Sequence, residues 1–269
     1  MKFSWNCVRA LTVPVADIGG KVLVTRSEPG ASQLAEALGA AGFATFVSPV
    51  IEIRPIVDPA LQRTVQILDR FDVVIFLSGH AVRIGLDQID EVWPTRPPLT
   101  WIAVGETTAD LLARRGVAAI TPEHESSEGI LALPQLSQLV GRRVLICSGR
   151  GGRAVLVDEL ILRGADVERL ELYQRERVPT ERAVKHLTGG GPIAVVVIAS
   201  GDGARAFSGV WRAMQGDPGV VVVAPSQRVA AQLEDLEFHN VVVADGASST
   251  AVIAALNGSL RKKMGKHDE

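Results

Sequence analysis

Short runs of β-branched and aliphatic residues alternate along the chain with segments whose apolar residues recur every three or four positions. The first run, Lys21 to Thr25 (KVLVT), precedes a turn sequence and then a segment that places Leu34 and Leu38 on one face. Gly42 ends that segment, and the next apolar run is ATFVSPV. These patterns in this order predict strand, helix and strand, which is a βαβ unit.

The same order of elements recurs in the second half of the chain. GRRVLICSGRGGRAVLVDELILRG resembles GGKVLVTRSEPGASQLAEALGAAG, and IAVVVIASGDGARAF resembles DVVIFLSGHAVRIG, so that Ser200 corresponds to Ser78. Two sets of five strands result, and the run VAAITP (Val117–Pro122) is counted as one of the strands. We therefore predict an α/β fold with two flavodoxin-like, doubly wound parallel-sheet domains.

Two further segments alternate apolar and charged residues. They are Val50–Val57 (VIEIRPIV) and Glu171–Val178 (ELYQRERV), and the second contains the only tyrosine of the chain, Tyr173. Such alternation is typical of strands that are exposed on one side. We expect the two segments to pair as a two-stranded β-ribbon that joins two lobes, with the function in the cleft that they span.

The ribbon hypothesis predicts interleaved domains. Domain 1 comprises residues 21–49 plus 179–257, domain 2 comprises residues 58–170, and residues 50–57 and 171–178 form the linker ribbon. Residues 1–20 are interpreted as an N-terminal extension and residues 258–269 as a solvated tail. Two sequential halves divided near Gly141 fit the same repeat, and periodicity does not decide between these arrangements.

Composition narrows the class of protein. The 269 residues are 47% hydrophobic with a net charge of −2, which predicts a soluble globular protein that does not bind nucleic acid. No apolar run approaches the roughly 20 residues that span a bilayer, so no membrane partner is expected. The two cysteines, Cys7 and Cys147, form no C-x-x-C pair, which argues against a disulfide framework or a zinc site and fits a cytoplasmic location.

In open α/β sheets, ligands bind beyond the carboxyl ends of the strands. The loops predicted there carry glycines, small hydroxyl residues and arginines, and our candidates for substrate binding are Thr25, Arg26, Ser78, Gly105, Thr107, Thr108, Ser127, Arg150, Ser200, Gly201, Ser226 and Arg228. Individually, most of the hydroxyl residues are explained as helix N-caps. Together, several helix N-termini facing one cleft would present free N–H groups to an anionic ligand.

One local motif points to a different chemistry. Gly149 to Ala154 (GRGGRA) fits G-x-G-x-x-A between a strand and a helix, with Glu168 about 20 residues further on, as in dinucleotide-binding sites. The corresponding segment of the repeat, SEPGAS, lacks this pattern, and two arginines crowd the turn. A nucleotide site therefore stays an alternative, and Arg150 is equally a candidate for binding carboxylates.

Few residues qualify as catalysts. The five histidines show no metal-ligand spacing, and no G-x-S-x-G motif is present. Packing within the ribbon is the commoner role for a residue such as Tyr173. As a functional group, its phenol would be a proton donor at neutral pH.

The ordered motifs resemble those of the uroporphyrinogen-III synthase family over about Lys21 to Leu256. The most specific segment begins with VLICSGRGGRAVLVDELILRG and continues through strand and tyrosine to Arg175. The other segments are LVTR (Leu23–Arg26), SPVIEIRP (Ser48–Pro55), FLSGHAV (Phe76–Val82), AVGETTADLLARRG (Ala103–Gly116) and SSEGIL (Ser126–Leu131).

The resemblance implies two lobes joined by a β-ribbon and a specific reaction. Hydroxymethylbilane, a linear tetrapyrrole, loses its hydroxyl as water, and the far ring attacks through a spiro intermediate and inverts to give uroporphyrinogen III. No metal or organic cofactor is implied, the small-molecule tetrapyrrole is the expected partner, and we expect a monomer. Tyr173 is the candidate that assists departure of the hydroxyl. The acetate and propionate groups are expected to bind backbone amides, helped by two arginines; the amides are those around Ser78, Thr107, Ser200 and Ser226, and the arginines are Arg26 and Arg228.

The chain departs from the family pattern at Val223–Ala230 (VAPSQRVA), where many members carry a Gly-x-Thr-Thr-Ala-like loop as this chain does at Gly105–Ala109. A threonine on the Val223–Ala230 loop is therefore not expected to be essential. Two other functions stay open on the residues alone: a non-catalytic two-domain anion sensor, and a nucleotide-dependent enzyme that uses the Gly149 turn.

Overall fold

The computed structural model describes residues 20–151 and 155–264, with side chains described up to residue 258. The predicted N-terminal extension, apart from Gly20, lies outside the described residues, as do the last three residues of the G-x-G-x-x-A motif. The final helix runs to Met264, so residues 258–264 continue a helix where we expected a tail, and residues 265–269 lie outside the described part.

The described residues form ten strands and ten α-helices, with two short 3-10 turns. The strands are β1 (Lys21–Val24), β2 (Thr45–Val47), β3 (Ile51–Pro55), β4 (Val73–Phe76), β5 (Thr100–Ala103), β6 (Arg143–Gly149), β7 (Asp166–Arg177), β8 (Ile193–Val197), β9 (Val221–Ala224) and β10 (Asn240–Val243). The helices are α1 (Gly30–Ala40), α2 (Pro59–Gln66), α3 (Gly79–Val92), α4 (Glu106–Ala113), α5 (Ser127–Leu131), α6 (Val155–Leu162), α7 (Thr180–Thr188), α8 (Gly201–Ala213), α9 (Gln227–Asp235) and α10 (Ser249–Met264).

The first sheet has the strand order β10-β9-β8-β1-β2, and its strand pairs are parallel. Alternate residues of β1 enter different cores because successive strand residues point to opposite faces. Leu23 packs in one core with Phe207 of α8, whereas Val24 packs in the other with Leu34 of α1. Helices therefore cover both faces, which is why these strands are almost continuously apolar.

The second sheet has the order β3-β7-β6-β4-β5, and the pairs among β4, β5, β6 and β7 are parallel. Phe76 of β4 packs with Leu86 of α3 on one face, and Ile75 packs with Leu160 of α6 on the other. The two sheets belong to two compact units. One contains the described residues up to Glu52 and from Arg177 onward, and the other contains Ile53–Glu176.

Strand β3 lies at the edge of the second sheet beside β7. The amide of Val178 donates to the carbonyl of Val50 (3.0 Å), and the amide of Ile56 donates to the carbonyl of Leu172 (2.9 Å). From Val50 to Ile56 the chain runs forward, whereas their partners run backward from Val178 to Leu172, so these two segments are antiparallel. The two alternating segments of the sequence are therefore neighbours in the structure.

The structure corrects two of the strand expectations. VAAITP does not form a full strand; only Ile120 forms an isolated parallel bridge with Ile102, and β3 takes the fifth place in the second sheet. Two adjacent alanines favour strands weakly, and Pro122 has no N–H to donate. Strands β1 and β2 share a sheet with β8, β9 and β10, so the pairing required by two sequential halves is wrong.

Candidate active site

In the second sheet, the carboxyl ends of the parallel strands bring together residues that are far apart in sequence. Strand β4 leads to Ser78, β5 leads to Gly105, and β6 ends at Gly149, which is aligned with Tyr173 of β7. The sequence predicted this edge as the location of the site because ligands bind beyond such strand ends.

Tyr173 is buried, with 1% of its surface exposed, and its phenol is hydrogen-bonded. The phenol oxygen lies 2.9 Å from Ser78 Oγ, and Arg175 Nη2 donates to the phenol oxygen at 3.2 Å. The Arg175 guanidinium also lies 5.5 Å from the centroid of the tyrosine ring. The ring of Tyr173 is therefore packed in the core, while its phenol oxygen forms polar contacts.

Ser78 is the N-cap of α3. Its backbone is extended and its Oγ accepts the N–H of Ala81 (3.2 Å), which satisfies one of the free amides at the start of the helix. The same Oγ lies against the Tyr173 phenol. The N-cap interpretation of Ser78 is confirmed, and the hydroxyl has a second contact that the sequence did not indicate.

Two cationic residues that were not among the candidates lie in this region, Arg175 at the phenol itself and Arg83 at the neighbouring His80. Arg175 follows Tyr173 by two positions, so strand periodicity places both on one face, and this was a signal that sequence reasoning could have used. Arg83 lies within hydrogen-bonding distance of His80 Nδ1 (3.0 Å), and the ring of His80 lies 5.5 Å from that of Tyr173. Burial lowers the pKa of Arg83 from its usual value, since a charged group is desolvated there.

Gly149 lies directly against the tyrosine ring. A Cβ at this position would lie 2.6 Å from the carbon that bears the phenol oxygen, so glycine permits the close approach. The neighbouring Arg150 is exposed. Its guanidinium forms an ion pair with Glu171 (3.2 Å) and donates a hydrogen bond to the side chain of Gln174 (3.2 Å). Its backbone amide donates to the carbonyl of Tyr173 (2.7 Å). In this structure Arg150 therefore binds the protein's own carboxylate.

The start of α4 is also occupied by a carboxylate of the protein. Glu125 accepts the N–H of Glu106 (3.0 Å), and a Cβ on Gly105 would lie 2.1 Å from the Glu125 carboxyl carbon. Of the predicted residues here, Thr107 is exposed and Thr108 is buried, while Ser127 is half-buried in the first turn of α5. Glu125 was missed, because nothing in its local sequence indicates this contact.

In the other unit, Thr25 and Arg26 follow β1. Thr25 is buried, and its hydroxyl donates to the carbonyl of Val197 (2.8 Å). Arg26 donates to the carbonyl of Ala247 (3.1 Å), and burial lowers the pKa of its guanidinium from the usual value. Arg26 is therefore a partly desolvated cation at the carboxyl ends of this sheet, as the sequence placed it.

The remaining candidates of this unit begin helices α8 and α9. Ser200 accepts the N–H of Gly203 (3.1 Å), and Ser226 accepts that of Val229 (3.4 Å), so both are N-caps. Gly201 lies close to Gln232, because a Cβ there would lie 2.1 Å from Gln232 Oε1. Arg228 is exposed.

Three further features concern metal ions, membranes and thiol chemistry in residues 20–151 and 155–264. No group of histidine, cysteine and acidic residues there has the arrangement of a metal site, and no helix there has the length and apolarity to cross a membrane. Cys147 is fully buried, and burial raises the pKa of its thiol, so it is not a candidate nucleophile.

Parallel strands whose carboxyl ends lead to capped helices and, in the second sheet, to a hydrogen-bonded phenol define an α/β protein with polar groups gathered at the strand ends. The model of the family described as uroporphyrinogen-III synthase HemD matches residues 32–254. The chain is 31% identical over 245 residues to the uroporphyrinogen-III synthase of Escherichia coli K12, an alignment that covers 87% of this chain and 99% of that protein. The chain belongs to the uroporphyrinogen-III synthase family.

Further comparisons agree with this assignment. The Proteus mirabilis uroporphyrinogen-III synthase is 36% identical over 160 residues, 57% of this chain and 79% of that protein. A mutant synthase from the extremely thermophilic bacterium Thermus thermophilus has a similar structure (TM-score 0.57, 16% identity, 91% of this chain and 99% of that chain). The Helicobacter pylori enzyme gives a TM-score of 0.54 at 14% identity, over 90% of this chain and 99% of that chain. These structures confirm the α/β fold with parallel sheets.

Proposed function

We propose that this chain is a cyclising carbon–oxygen lyase that converts hydroxymethylbilane to uroporphyrinogen III. The reaction removes water and inverts the last pyrrole ring through a spiro intermediate, as in tetrapyrrole biosynthesis. The observation that carries this proposal is the family match over residues 32–254, together with an Escherichia coli synthase that aligns over 99% of its length.

The carboxyl ends of the strands suit a substrate that carries many carboxylates. Ser78, Ser200 and Ser226 cap helices whose remaining N-terminal amides are donors for anions. Arg26 and Arg228 add positive charge in the same unit as two of these helices. We assign carboxylate binding to these groups, since the hydroxymethyl group is intrinsically reactive and the enzyme mainly has to fix the substrate's conformation.

The other candidates fall into three groups: threonines on the loops, positions that a carboxylate of the protein already contacts, and Tyr173. Thr25 and Thr108 are buried and shape the loops in which they lie, whereas Thr107 is exposed. A substrate carboxylate at Gly105 or at Arg150 has to compete with Glu125 or Glu171, which bind there in this structure. Tyr173 is assigned to proton supply because its phenol contacts both Ser78 and Arg175.

The finer architecture is part of the same proposal. We assign two flavodoxin-like domains, residues 21–49 plus 179–257 and residues 58–170, joined by the ribbon of residues 50–57 and 171–178. The antiparallel neighbours β3 and β7 support the ribbon, and the order β2-β1-β8-β9-β10 is the flavodoxin-like order for the first sheet. A cytoplasmic monomer is the form that we expect to be active.

The test is to incubate the protein with hydroxymethylbilane and to separate the product isomers by chromatography. Type III product that increases with protein concentration is the expected result, because the unaided reaction closes to the type I isomer without inversion. Formation of type I product alone would contradict the proposal and would favour an anion sensor. Tight binding of NAD or FAD would favour the nucleotide-dependent alternative.

A further inference from the structure

We propose that Ser78 donates the proton to the departing hydroxyl group and that Tyr173 acts through Ser78 by resupplying that proton. In this assignment Ser78 is the catalytic residue, and Tyr173 and Arg175 are positioning residues behind it. The inference rests on the proposed function, because it concerns the proton needed when the substrate loses water.

Exposure separates the roles of the two hydroxyl groups. Only 1% of the surface of Tyr173 is exposed, whereas Ser78 is half-buried at the carboxyl edge of the sheet. A proton donor must reach the accepting atom within hydrogen-bonding distance. Of the two residues, Ser78 is the one with surface that a ligand at this edge can contact, and its Oγ lies 2.9 Å from the phenol oxygen.

The hydrogen-bond partners of the phenol oxygen also determine which of the two hydroxyl groups, that of Tyr173 or that of Ser78, is the donor. Among the described residues, the phenol oxygen contacts Arg175, which only donates, and Ser78. If Ser78 donated to the phenol, the buried phenol hydrogen would have no described acceptor, which is costly. The phenol therefore donates to Ser78.

This direction leaves the Ser78 hydrogen free for a ligand. A serine oxygen accepts two hydrogen bonds and donates one. The N–H of Ala81 and the Tyr173 phenol occupy the two acceptor positions, so the remaining function of this hydroxyl is to donate. The N-cap geometry of α3 thus orients Ser78 as a donor.

The proton and electron balance is complete without a cofactor. The C–O bond of the hydroxymethyl group breaks with its electron pair on oxygen, and this oxygen takes the Ser78 proton and leaves as water. Ser78 takes the phenol proton, and the guanidinium of Arg175 stabilises the negative charge that forms on the phenol oxygen. The proton that the far pyrrole ring loses on ring closure returns through Ser78 to the phenol.

Steady-state kinetics of Ser78→Ala, Tyr173→Phe and the double variant test the relay. We expect each single change to lower kcat by roughly 100-fold with a smaller effect on KM, because general acid catalysis contributes about that much. Turnover does not fall to zero, since positioning remains. The double variant should be no slower than the slower single variant, because both changes interrupt one path. Ser78→Thr, which keeps the hydroxyl, should recover much of the rate.

Asp58→Ala is the matched control for the lost helix cap. Asp58 caps α2 by accepting the N–H of Ala60 (2.8 Å), and it is not among the assigned site residues. We expect this variant to lose stability as Ser78→Ala does while keeping its kcat. Unchanged kcat in Ser78→Ala, or a double variant slowed by the product of the single effects, would overturn the relay. The absence of type III product from the wild-type protein would instead contradict the proposed function.

Discussion

At the scale of single residues, the contacts of Tyr173 depend on the absence of a side chain at Gly149. The ring lies where a Cβ on Gly149 would point. Such a Cβ would be 2.6 Å from the nearest ring carbon of Tyr173 and 3.0 Å from its phenol oxygen. Contacts below 3 Å require a shift of the ring or of the strand. The position of the phenol relative to Ser78 is therefore set partly by glycine.

We predict that Gly149→Ala lowers turnover and destabilises the protein by about 1–3 kcal/mol, the usual range for an overpacked buried site. The added methyl group displaces the ring and weakens the contact with Ser78. Turnover of hydroxymethylbilane and urea unfolding measure the two effects. Gly39→Ala in α1 is the control, because a Cβ there meets no atom within 4 Å. Wild-type turnover in Gly149→Ala would show that the ring position is not critical.

At the scale of elements, the apolar runs allowed prediction of most strands because buried parallel strands are almost continuously hydrophobic. β4 and β6 were recognised in this way, and all four residues of β4 are buried. The run VAAITP was overestimated, because a short edge segment has little sequence signal that separates a strand from one bridge. N-caps such as Ser78 were predictable, since serine before a helical pattern is a local signal.

The candidate site was less predictable than the fold. The contact between Tyr173 and Ser78 joins residues 95 positions apart, and no local pattern encodes it. Glu125 at the start of α4 is a similar case. Periodicity places a residue on a face or at a strand end, whereas the choice of partner at that end depends on packing.

The junction of β4 and β6 depends on Asp72. Its carboxylate accepts the N–H of Arg143 (2.9 Å) and pairs with the Arg142 guanidinium (2.5 Å), while the Asp72 amide donates to the Arg143 carbonyl (2.9 Å). The Arg143 amide and then the Arg142 side chain lower the pKa of the Asp72 carboxyl from its usual value. The carboxylate therefore stabilises the start of both strands.

We predict that Asp72→Asn lowers the free energy of unfolding by about 1 kcal/mol at neutral pH. A lowered pKa in the folded state means that this stabilisation is present above the pKa of a free aspartate, about 3.9. It is lost as the pH falls through the folded-state pKa, so wild type and variant should converge in acid. Urea unfolding across pH measures this. Asp87→Asn, which removes an exposed ion pair with Arg115, should change stability little. A difference that persists unchanged in acid would contradict the role of the charge.

At the scale of the whole molecule, the chain completes one sheet with segments from both of its ends. β1 lies between β8 and β2, so the first sheet needs residues before Glu52 and after Arg177. Its two cores contain residues from both segments, such as Leu23 with Phe207. Strand β1 and its neighbour β2 therefore come from the first segment, and the other three strands come from the second.

We predict that this unit folds without the inserted one. The Val178 amide donates to the Val50 carbonyl (3.0 Å), so the chain ends left by removing residues 53–176 lie side by side, and a Gly-Asn-Gly linker can join them. Every strand of the order β10-β9-β8-β1-β2 is retained, together with both cores. The shortened protein should unfold cooperatively in urea, show the circular dichroism of an α/β protein and lack synthase activity. A chain of residues 177–264 alone lacks β1 and β2 and should stay unfolded, because β8 then loses the neighbour that buries its edge. If the shortened protein were as disordered as that control, the stability of the first sheet would depend on the inserted unit.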